Sequence, residues 1–312
     1  MPQPKLFLPI GALSECYTPL GKAQVKASAI EFRLRMMIQI VFVSLALWAP
    51  WVKPFDLKLR MSTLEWLALE IGRTGLITFT VAVPVVILFG ILLAVAGAWL
   101  RVWGAAYLGY SVVQHAQMQA GVVVTTGPYR YVRNPLYLGG WFIMSAISLF
   151  FTPSGALIMF VLIGFFYLRL ILGEEAHLAS KLGEPYQEYL RAVPRILPRF
   201  RANTATTSAE PRWLSAILTE VMPIGVLVTM AVVPWSYDNM AALRWILISF
   251  IISLVVRGLM KAPIPTCVFL AISGAAWGVV HLSVERSMLI GFGAALVTWA
   301  LMPQRRSNPD AQ

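Results

Sequence analysis

Two polar segments interrupt an otherwise apolar chain and hold the side chains best suited to chemistry. The first, residues 125–140, reads TTGPYRYVRNPLYLGG. Pro135 is well placed to begin a helix with Asn134 as its N-cap, which would aim free backbone N–H groups at the cytoplasmic surface, beside Arg130 and Arg133. A helix N-terminus of this kind attracts anions, so the segment predicts an anion site. A simpler alternative is that the two arginines anchor a helix end at the lipid headgroups.

The second polar segment, residues 174–200, begins with the adjacent acids Glu174 and Glu175. Carboxylates that end an apolar span are costly near hydrocarbon and need a cationic or hydrogen-bonding partner. A short helix opening at Pro185 would place three side chains on one face: Tyr186, Tyr189 and Leu190. Residues 193–200 contain two prolines and are expected to be extended. The alternative is a solvated helix beside the membrane with no chemical role.

Several other chemistries lack the residues they need. A histidine-rich diiron oxygenase wants at least two Glu-x-x-His pairs, and Glu174 with His177 provides one. Gly291-Phe292-Gly293 lies inside an apolar run, where small residues more often serve helix packing than a Rossmann nucleotide site. The two cysteines are far apart and form no CxxC site, and no GxSxG or P-loop motif occurs. We therefore expect no metal site, no hydrolase and no phosphate-transfer enzyme.

Composition indicates that the helices carrying these polar residues lie in a membrane. The chain has 312 residues, of which 58% are hydrophobic and 12% charged, whereas soluble proteins have roughly 25% charged residues. Its mean hydropathy is +0.72. The formal net charge is +11, but the basic residues stand between apolar runs. That arrangement is typical of membrane orientation and of contact with anionic headgroups, and it argues against nucleic acid as a partner.

The apolar runs predict an all-α, polytopic membrane protein with about eight transmembrane helices. A span needs about 20 apolar residues, so the uncharged run 134–168 is long enough for two spans that fold back at residues 152–155. The other predicted spans lie near 36–52, 74–100, 213–234, 241–260, 264–281 and 287–303.

Charges in the loops predict that both termini and a cofactor pocket face the cytoplasm. Lysine and arginine are concentrated in the N-terminal segment, in residues 181–212 and at Arg305 and Arg306, as the positive-inside rule requires. Residues 53–73 disagree, although the part from 62 to 72 could lie flat as an interfacial amphipathic helix. The predicted organisation is a cytoplasmic segment 1–29, a membrane domain 30–200, a linker 201–212, a four-helix membrane module 213–303 and a tail 304–312.

The two polar segments, together with a preceding block, resemble a family of membrane methyltransferases. The matching stretch runs from about 97 to 200 and contains GAWLRVWGAAYLG, GPYRYVRNPLYLGG and EE followed by LGEPYQEYLRAVPRILPR. In order and spacing these blocks resemble the superfamily of isoprenylcysteine carboxyl methyltransferase and phospholipid N-methyltransferase. The resemblance implies a lipid or membrane-soluble acceptor and a cytoplasm-facing pocket for S-adenosylmethionine, whose product is S-adenosylhomocysteine.

The resemblance also implies roles for individual residues. Arg133, Asn134 and the N–H groups from Pro135 to Tyr137 would hold the carboxylate of S-adenosylmethionine, and Glu174 and Glu175 would meet its ribose hydroxyls or its cationic part. The predicted catalytic residues are Arg133, Asn134 and Glu175. The predicted cofactor-binding residues are Tyr129, Arg130, Arg133, Asn134, Pro135, Leu136, Tyr137, Gly139, Glu174, Glu175, Tyr186 and Tyr189. Three arginines are assigned to substrate binding: Arg101, Arg169 and Arg195.

One position departs from the prenylcysteine branch of the superfamily. Where that branch usually has histidine before the proline, this chain has Asn134, which is more similar to the phospholipid branch. Asparagine does not titrate near neutrality, so a proton-transfer role for histidine is not carried over. The acceptor, and whether nitrogen, oxygen, sulfur or carbon is methylated, therefore stay open.

The C-terminal module faintly resembles a degenerate CAAX-protease-like family. Residues 254–258, LVVRG, and 277–281, WGVVH, echo its motifs, but Ile252 and Ser253 stand where a glutamate pair is needed. Without those acids, activation of water is not expected. The module is interpreted as a scaffold, an oligomer interface or a lipid-binding wall.

Two functions of other classes compete with methyl transfer. The chain could be a non-catalytic membrane scaffold or lipid-binding protein that has kept the fold. It could also be an NADPH-dependent membrane reductase, because sterol reductases have a distantly similar cytoplasmic pocket. Stabilisation by S-adenosylhomocysteine but not by NADPH would separate these possibilities.

Overall fold

The computed structural model describes residues 26–49, 61–108, 123–199, 210–236, 238–261 and 266. Within these ranges the regular structure is helical and no strand occurs. The α-helices are α1 (Ala29–Arg33), α2 (Arg35–Trp48), α3 (Thr63–Arg73), α4 (Phe79–Leu108), α5 (Pro135–Ser148), α6 (Pro153–Leu182), α7 (Glu184–Ala192), α8 (Trp213–Thr219), α9 (Val221–Val232) and α10 (Asn239–Lys261). Two 3₁₀ turns, Gly127–Arg130 and Val233–Ser236, complete the regular elements.

Three of the described helices are long and apolar enough to cross a membrane. They are α4, α6 and residues Ala241–Met260 of α10, and α8 with α9 makes a fourth if that pair, bent by 71°, counts as one span. Helices also occupy the predicted spans near 36–52 and 134–151, but α2 and α5 have 14 residues each. The predicted spans 264–281 and 287–303 lie outside the described residues apart from Thr266. The described part of the chain thus supports three or four spans of the eight predicted.

Helices α4 and α5 are antiparallel and touch through their main chains. A Cβ added to Gly97 would lie 2.8 Å from the carbonyl oxygen of Gly139, and one added to Gly139 would lie 2.8 Å from that of Gly97. Without large side chains between them the two backbones approach closely, which is how small residues hold membrane helices together. This contact sets the start of α5 beside the last turns of α4.

Helix α6 folds back on α5 at the predicted hinge. Thr152 is its N-cap, and the Thr152 side chain accepts a hydrogen bond from the Gly155 N–H at 3.2 Å. The helix continues to Leu182, well past residue 168, where the predicted span ended. Its 30 residues make it about 45 Å long, against about 30 Å for a hydrocarbon core. The acids at 174 and 175 are therefore part of a continuous helix rather than of a segment that follows it.

The N-terminal residues cross the outside of α6. The Ala27 N–H donates to the Arg169 carbonyl oxygen at 3.0 Å, and the carboxylate of Glu31 forms an ion pair with Arg169 at 2.8 Å. Ser28 and Glu31 cap the first turn of α1 reciprocally. Further along, the aromatic rings of Phe42 and Phe166 meet edge to face with centroids 5.7 Å apart.

A helix occupies the region expected to be amphipathic. Helix α3 begins at a capping box formed by Ser62 and Glu65. The Thr63 N–H donates to the Phe151 carbonyl oxygen at 2.7 Å, and the Leu64 N–H to that of Leu149 at 3.0 Å. Helix α3 is thereby attached to the turn between α5 and α6, at the end of the bundle opposite the acids.

The C-terminal helices pack against α4. Ala216 of α8 lies among Ala105 and Ala106, and a Cβ on Gly90 would collide with the side chain of Met230 in α9. Helix α10 then runs back along α9, where Gly225 faces Ser249. Residues 213–261 therefore extend the same bundle.

Candidate active site

Chain segments distant in sequence meet where α5 begins and α6 nears its end. The Arg133 N–H donates to the Pro194 carbonyl oxygen at 2.9 Å, and the Arg199 N–H donates to that of Tyr131 at 3.0 Å. These two bonds hold residues 193–199 alongside the approach to α5. Val193 is extended, as expected from the two prolines in this stretch.

The carboxylate of Glu175 lies at the centre of this junction. Its Oε1 accepts a hydrogen bond from the Asn134 Nδ2 at 3.1 Å and lies 3.5 Å from the Arg133 Nε. Its Oε2 accepts from the Arg195 Nε at 2.9 Å. The Glu175 side chain is 7% exposed, so its charge is offset by two guanidinium groups rather than by water. We call Arg133, Asn134, Glu175 and Arg195 the Glu175 cluster.

Asn134 precedes α5, as predicted, but its side chain does not cap the helix. The amide Nδ2 donates to Glu175 and also to the Arg195 carbonyl oxygen at 3.2 Å. Asn134 thus bonds to residues distant in sequence instead of to the backbone N–H groups of the first turn of α5. A second expectation needs correction as well: Pro135 has no N–H, so Leu136 and Tyr137 are the first residues of α5 whose N–H groups could meet an anion.

Glu174 reaches the same turn of α5 on a different side. Successive residues of a helix point about 100° apart, so Glu174 and Glu175 face different neighbours. The Tyr137 hydroxyl donates to Oε2 of Glu174 at 2.9 Å. The ring of Tyr137 rests edge-on against Tyr167 with centroids 5.6 Å apart. Both acids are therefore bonded to one helical turn, which begins at Asn134.

Three buried tyrosines lie on the elements that flank the cluster. The rings of Tyr186 and Tyr189 in α7 pack at an angle of 47° with centroids 5.8 Å apart. The Tyr189 hydroxyl donates to the Tyr129 carbonyl oxygen at 2.9 Å. Burial raises the pKa of Tyr129, Tyr186 and Tyr189 above the ordinary value of a phenol. These phenols remain neutral hydrogen-bonding groups across the physiological range. Arg130, half buried, ends the 3₁₀ turn that carries Tyr129.

Not every predicted site residue joins this cluster. Arg101 pairs with Glu220, and Arg169 pairs with Glu31 on the outside of α6. Gly139 faces Gly97 in the contact between α4 and α5. The buried ring of Pro135 and the half-buried side chain of Leu136 belong to the first turn of α5, and Leu136 lies against Gly104. The arrangement brings together Arg133, Asn134, Glu175 and Arg195, with Tyr137 and Glu174 beside them.

Known proteins match the stretch of the chain that carries most of the cluster. Residues 85–185 match the family model of phospholipid methyltransferase. A curated relative, protein-S-isoprenylcysteine O-methyltransferase of Schizosaccharomyces pombe, is 35% identical over 107 residues, which are 33% of this chain and 45% of that protein. Residues 85–185 are thus similar to membrane methyltransferases, and we refer to them below as the methyltransferase segment. The match spans less than half the length of the curated relative, and no solved structure matches the chain.

The methyltransferase segment contains part of the cluster but not all of it. Arg133, Asn134 and Glu175 lie within residues 85–185, whereas Arg195 lies beyond that boundary. Arg195 nevertheless donates to the same carboxylate. The chain that follows the family match thus completes the polar centre of the methyltransferase segment.

Sequence analysis missed one residue that the structure brings to the methyltransferase segment. Glu220 has a fully buried side chain and forms an ion pair with Arg101 at 2.6 Å. A usable signal existed, because a single acid in an apolar run needs a partner and Arg101 is a single arginine in another such run.

Proposed function

We propose that the chain transfers a methyl group from S-adenosylmethionine to a lipid or another membrane-soluble acceptor. The observation that carries this proposal is the Glu175 cluster, which joins the start of α5 to α6 and lies, apart from Arg195, inside the segment that matches methyltransferases. Scaffold and reductase functions have no comparable support.

The groups around the cluster fit the chemistry of the donor. S-adenosylmethionine supplies a methyl group already activated on a sulfonium, together with an amino-acid carboxylate and ribose hydroxyls. Arg133 and the N–H groups of Leu136 and Tyr137 are cationic or hydrogen-bonding donors for the carboxylate. Glu174 offers carboxylate oxygens for hydroxyl or ammonium groups, and the buried tyrosines Tyr186 and Tyr189 offer walls of low polarity.

The contacts of Glu175 support a positioning role for this residue. Both of its oxygens are already engaged, one by Asn134 and Arg133 and the other by Arg195. We therefore assign Glu175 to holding Arg133 and Asn134 in place for the donor. Glu174, which accepts from Tyr137 through Oε2, is the acid we assign to direct contact with the donor.

The chemical step needs orientation more than acid or base catalysis. The bond from sulfur to the methyl carbon breaks while a bond from that carbon to the acceptor forms, and the sulfonium becomes the neutral thioether of S-adenosylhomocysteine. A carboxylate acceptor loses no proton, whereas a protonated amine must lose one before the transfer. Alignment and exclusion of water can lower such a barrier by about 7–11 kcal/mol.

We propose that the cluster faces the cytoplasm at the membrane boundary. Helix α6 starts at Pro153, and about 20 residues of helix reach across the hydrocarbon, which places Glu174 and Glu175 near the boundary. Aromatic rings typical of a membrane interface lie at the same end: Trp99, Trp103, Trp213 and Tyr131. Basic residues also lie there, namely Lys181, Arg191, Arg195 and Arg199, whereas the turn from 149 to 152 has none. An eight-span topology with both termini cytoplasmic remains part of this proposal.

The acceptor is proposed only as a class. The curated relative is named for O-methylation of isoprenylcysteine, whereas the family model is named for phospholipid, and both imply an acceptor that is lipophilic. Such an acceptor would reach the donor from the bilayer.

The acceptor can be identified by isotope labelling. The full chain is expressed in cells grown on methionine with a deuterated methyl group, and the lipid extract is analysed by mass spectrometry. We expect a labelled species that is lost with Glu175→Gln and kept with Glu188→Gln, a matched change at an exposed acid of α7. No labelled species with the unaltered chain, or equal labelling with Glu175→Gln, would contradict the proposal.

A further inference from the structure

A buried ion pair connects the methyltransferase segment to helices outside it. The Arg101 Nε and Nη2 donate to Oε2 and Oε1 of Glu220 at 2.6 and 3.1 Å, so guanidinium and carboxylate meet as two parallel forks. The Glu220 side chain has no exposed surface, and that of Arg101 is 21% exposed. The two residues are 119 positions apart, and residue 220 lies outside the family match.

Arg101 makes a third contact, with the helix that begins at the Glu175 cluster. Its Nη1 donates to the Leu136 carbonyl oxygen at 3.2 Å, in the first turn of α5. Gly140 leaves room for this approach, because a Cβ added there would lie 3.3 Å from the same Nη1. Leu136 stands between Asn134 and Tyr137, so the guanidinium of Arg101 supports the turn that contacts both Glu174 and Glu175.

The position of Glu220 is set by a break between two helices. Helices α8 and α9 meet at an angle of 71° with Glu220 between them. On one side of the break, the Arg257 Nη2 donates to the Thr219 carbonyl oxygen at 2.9 Å. At the start of α8, the Arg212 N–H donates to the Ala106 carbonyl oxygen at 2.9 Å. Helix α8, which leads to Glu220, is thus held at both of its ends, and the Glu220 carboxylate is presented to Arg101 where that helix stops.

We infer that Glu220 is a positioning residue for the donor site: by holding Arg101 beneath the first turn of α5, it sets the place of Asn134 and Tyr137. Without its counter-charge, a guanidinium in a span would extend toward the headgroups, as arginine side chains do. That movement would withdraw Nη1 from Leu136. The inference rests on the proposed methyl transfer and assigns a role in it to the helices after residue 210.

The first measurement is the affinity of the purified full chain for S-adenosylhomocysteine. Glu220→Gln keeps the size of the side chain and removes its charge. We expect its dissociation constant to rise about fivefold or more, the usual lower range of coupling between sites, and KM for S-adenosylmethionine to rise more than kcat falls. Glu210→Gln, an exposed acid near the start of α8, serves as the matched control and should bind as the unaltered chain does.

A second variant separates positioning from stability. Arg101→Met combined with Glu220→Leu removes both charges, and apolar replacement of a buried pair is often neutral or stabilising. We therefore expect a melting temperature close to that of the unaltered chain. The Leu136 carbonyl oxygen still loses the hydrogen bond from Arg101, so we expect affinity for S-adenosylhomocysteine as weak as in Glu220→Gln. If the double variant binds S-adenosylhomocysteine as tightly as the unaltered chain does, the inference is overturned. This test applies even if Glu220→Gln does not fold.

The outcomes distinguish the inference from the function on which it rests. Lack of binding by the unaltered chain would refute the proposed donor itself. Tight binding by the unaltered chain, with equally tight binding by Glu220→Gln and the double variant, would refute only the role of Glu220.

Discussion

The hydroxyl of Tyr137 donates to Oε2 of Glu174 at 2.9 Å, and this bond joins the first turn of α5 to α6 beside the Glu175 cluster. Because the ring also packs against Tyr167, the hydroxyl is held in place rather than free to rotate away. The first turn of α5, together with the Asn134 that precedes it, therefore contacts two adjacent acids, Glu174 through Tyr137 and Glu175 through Asn134.

Tyr137→Phe should weaken donor binding without unfolding the chain. The ring contact with Tyr167 is kept, but Glu174 loses a donor, and a hydrogen bond to a charged group is worth about 1.5–3 kcal/mol. We expect the dissociation constant of S-adenosylhomocysteine to rise about tenfold or more in isothermal titration. Tyr131→Phe, where the ring packs against Trp103, is the control. Equal affinity of Tyr137→Phe and the unaltered chain would remove Glu174 from the donor site.

S-adenosylhomocysteine should stabilise the detergent-solubilised chain against heat, whereas NADPH should not. A ligand at about 100 times its dissociation constant stabilises the folded state by about 2.7 kcal/mol. A thermal shift assay with both ligands at equal concentration makes the comparison. Stabilisation by NADPH alone would favour the reductase function, and no response to either would favour a non-catalytic protein.

The pair of Glu31 and Arg169 should make stability depend on pH. The Ser28 N–H bond, followed by the Arg169 guanidinium, lowers the pKa of Glu31 below its ordinary value of 4.5. A lowered folded-state pKa means that the stabilisation is complete above the unfolded value and is lost as pH falls through the folded one.

The corresponding test compares Glu31→Gln with the unaltered chain at pH 7 and near pH 4. Gln can keep the capping bond to Ser28 but not the charge, so we expect a loss of up to about 1 kcal/mol at pH 7, the upper range for a partly exposed ion pair, and a smaller difference in acid. Glu70→Gln alters an exposed pair with Arg73 and should have little effect at either pH. A penalty for Glu31→Gln that does not shrink on acidification would show that its charge is not what stabilises α1.

Gly139→Ala should reduce stability because α4 and α5 touch at this residue. The new methyl group would lie 2.8 Å from both the Gly97 carbonyl oxygen and the Cγ of Arg101. Overpacking of this kind costs about 1–3 kcal/mol, visible as a lower melting temperature. Gly164→Ala in α6, where the nearest contact is the indole nitrogen of Trp141, should cost less. If Gly139→Ala melts at the original temperature but loses donor affinity, the glycine serves the cofactor as the sequence predicted.

The sequence predicted the helices better than it predicted their ends. Proline and glycine within an apolar run predicted the hinge at residues 152–155, where α6 begins. Hydropathy ended the predicted span before α6 ends, since hydropathy measures preference for lipid and not for helix. Residues 174–182, EEAHLASKL, are polar but include strong helix formers, so α6 continues to Leu182.

The junction of the site was predictable in part. The order of the polar blocks brought Asn134 and Glu175 together as candidates, and their side chains are bonded. Local preference predicted Asn134 as a cap and failed, because a carboxylate from α6 competes for the same amide. The pairing of Arg101 with Glu220 depends on how α8 and α9 bend against α4, and no local pattern spans 119 residues.

The bonds that fasten residues 193–199 beside Tyr131 and Arg133 have a consequence for protein engineering. The family match ends at residue 185, but the folded unit does not end there, because Arg195 beyond that residue pairs with Glu175 before it. A chimera joined at residue 185 would keep the buried carboxylate of Glu175 but would lack Arg195, one of the two arginines that pair with it. Exchange of parts between relatives should therefore carry the stretch through Arg199 along with the helices before it.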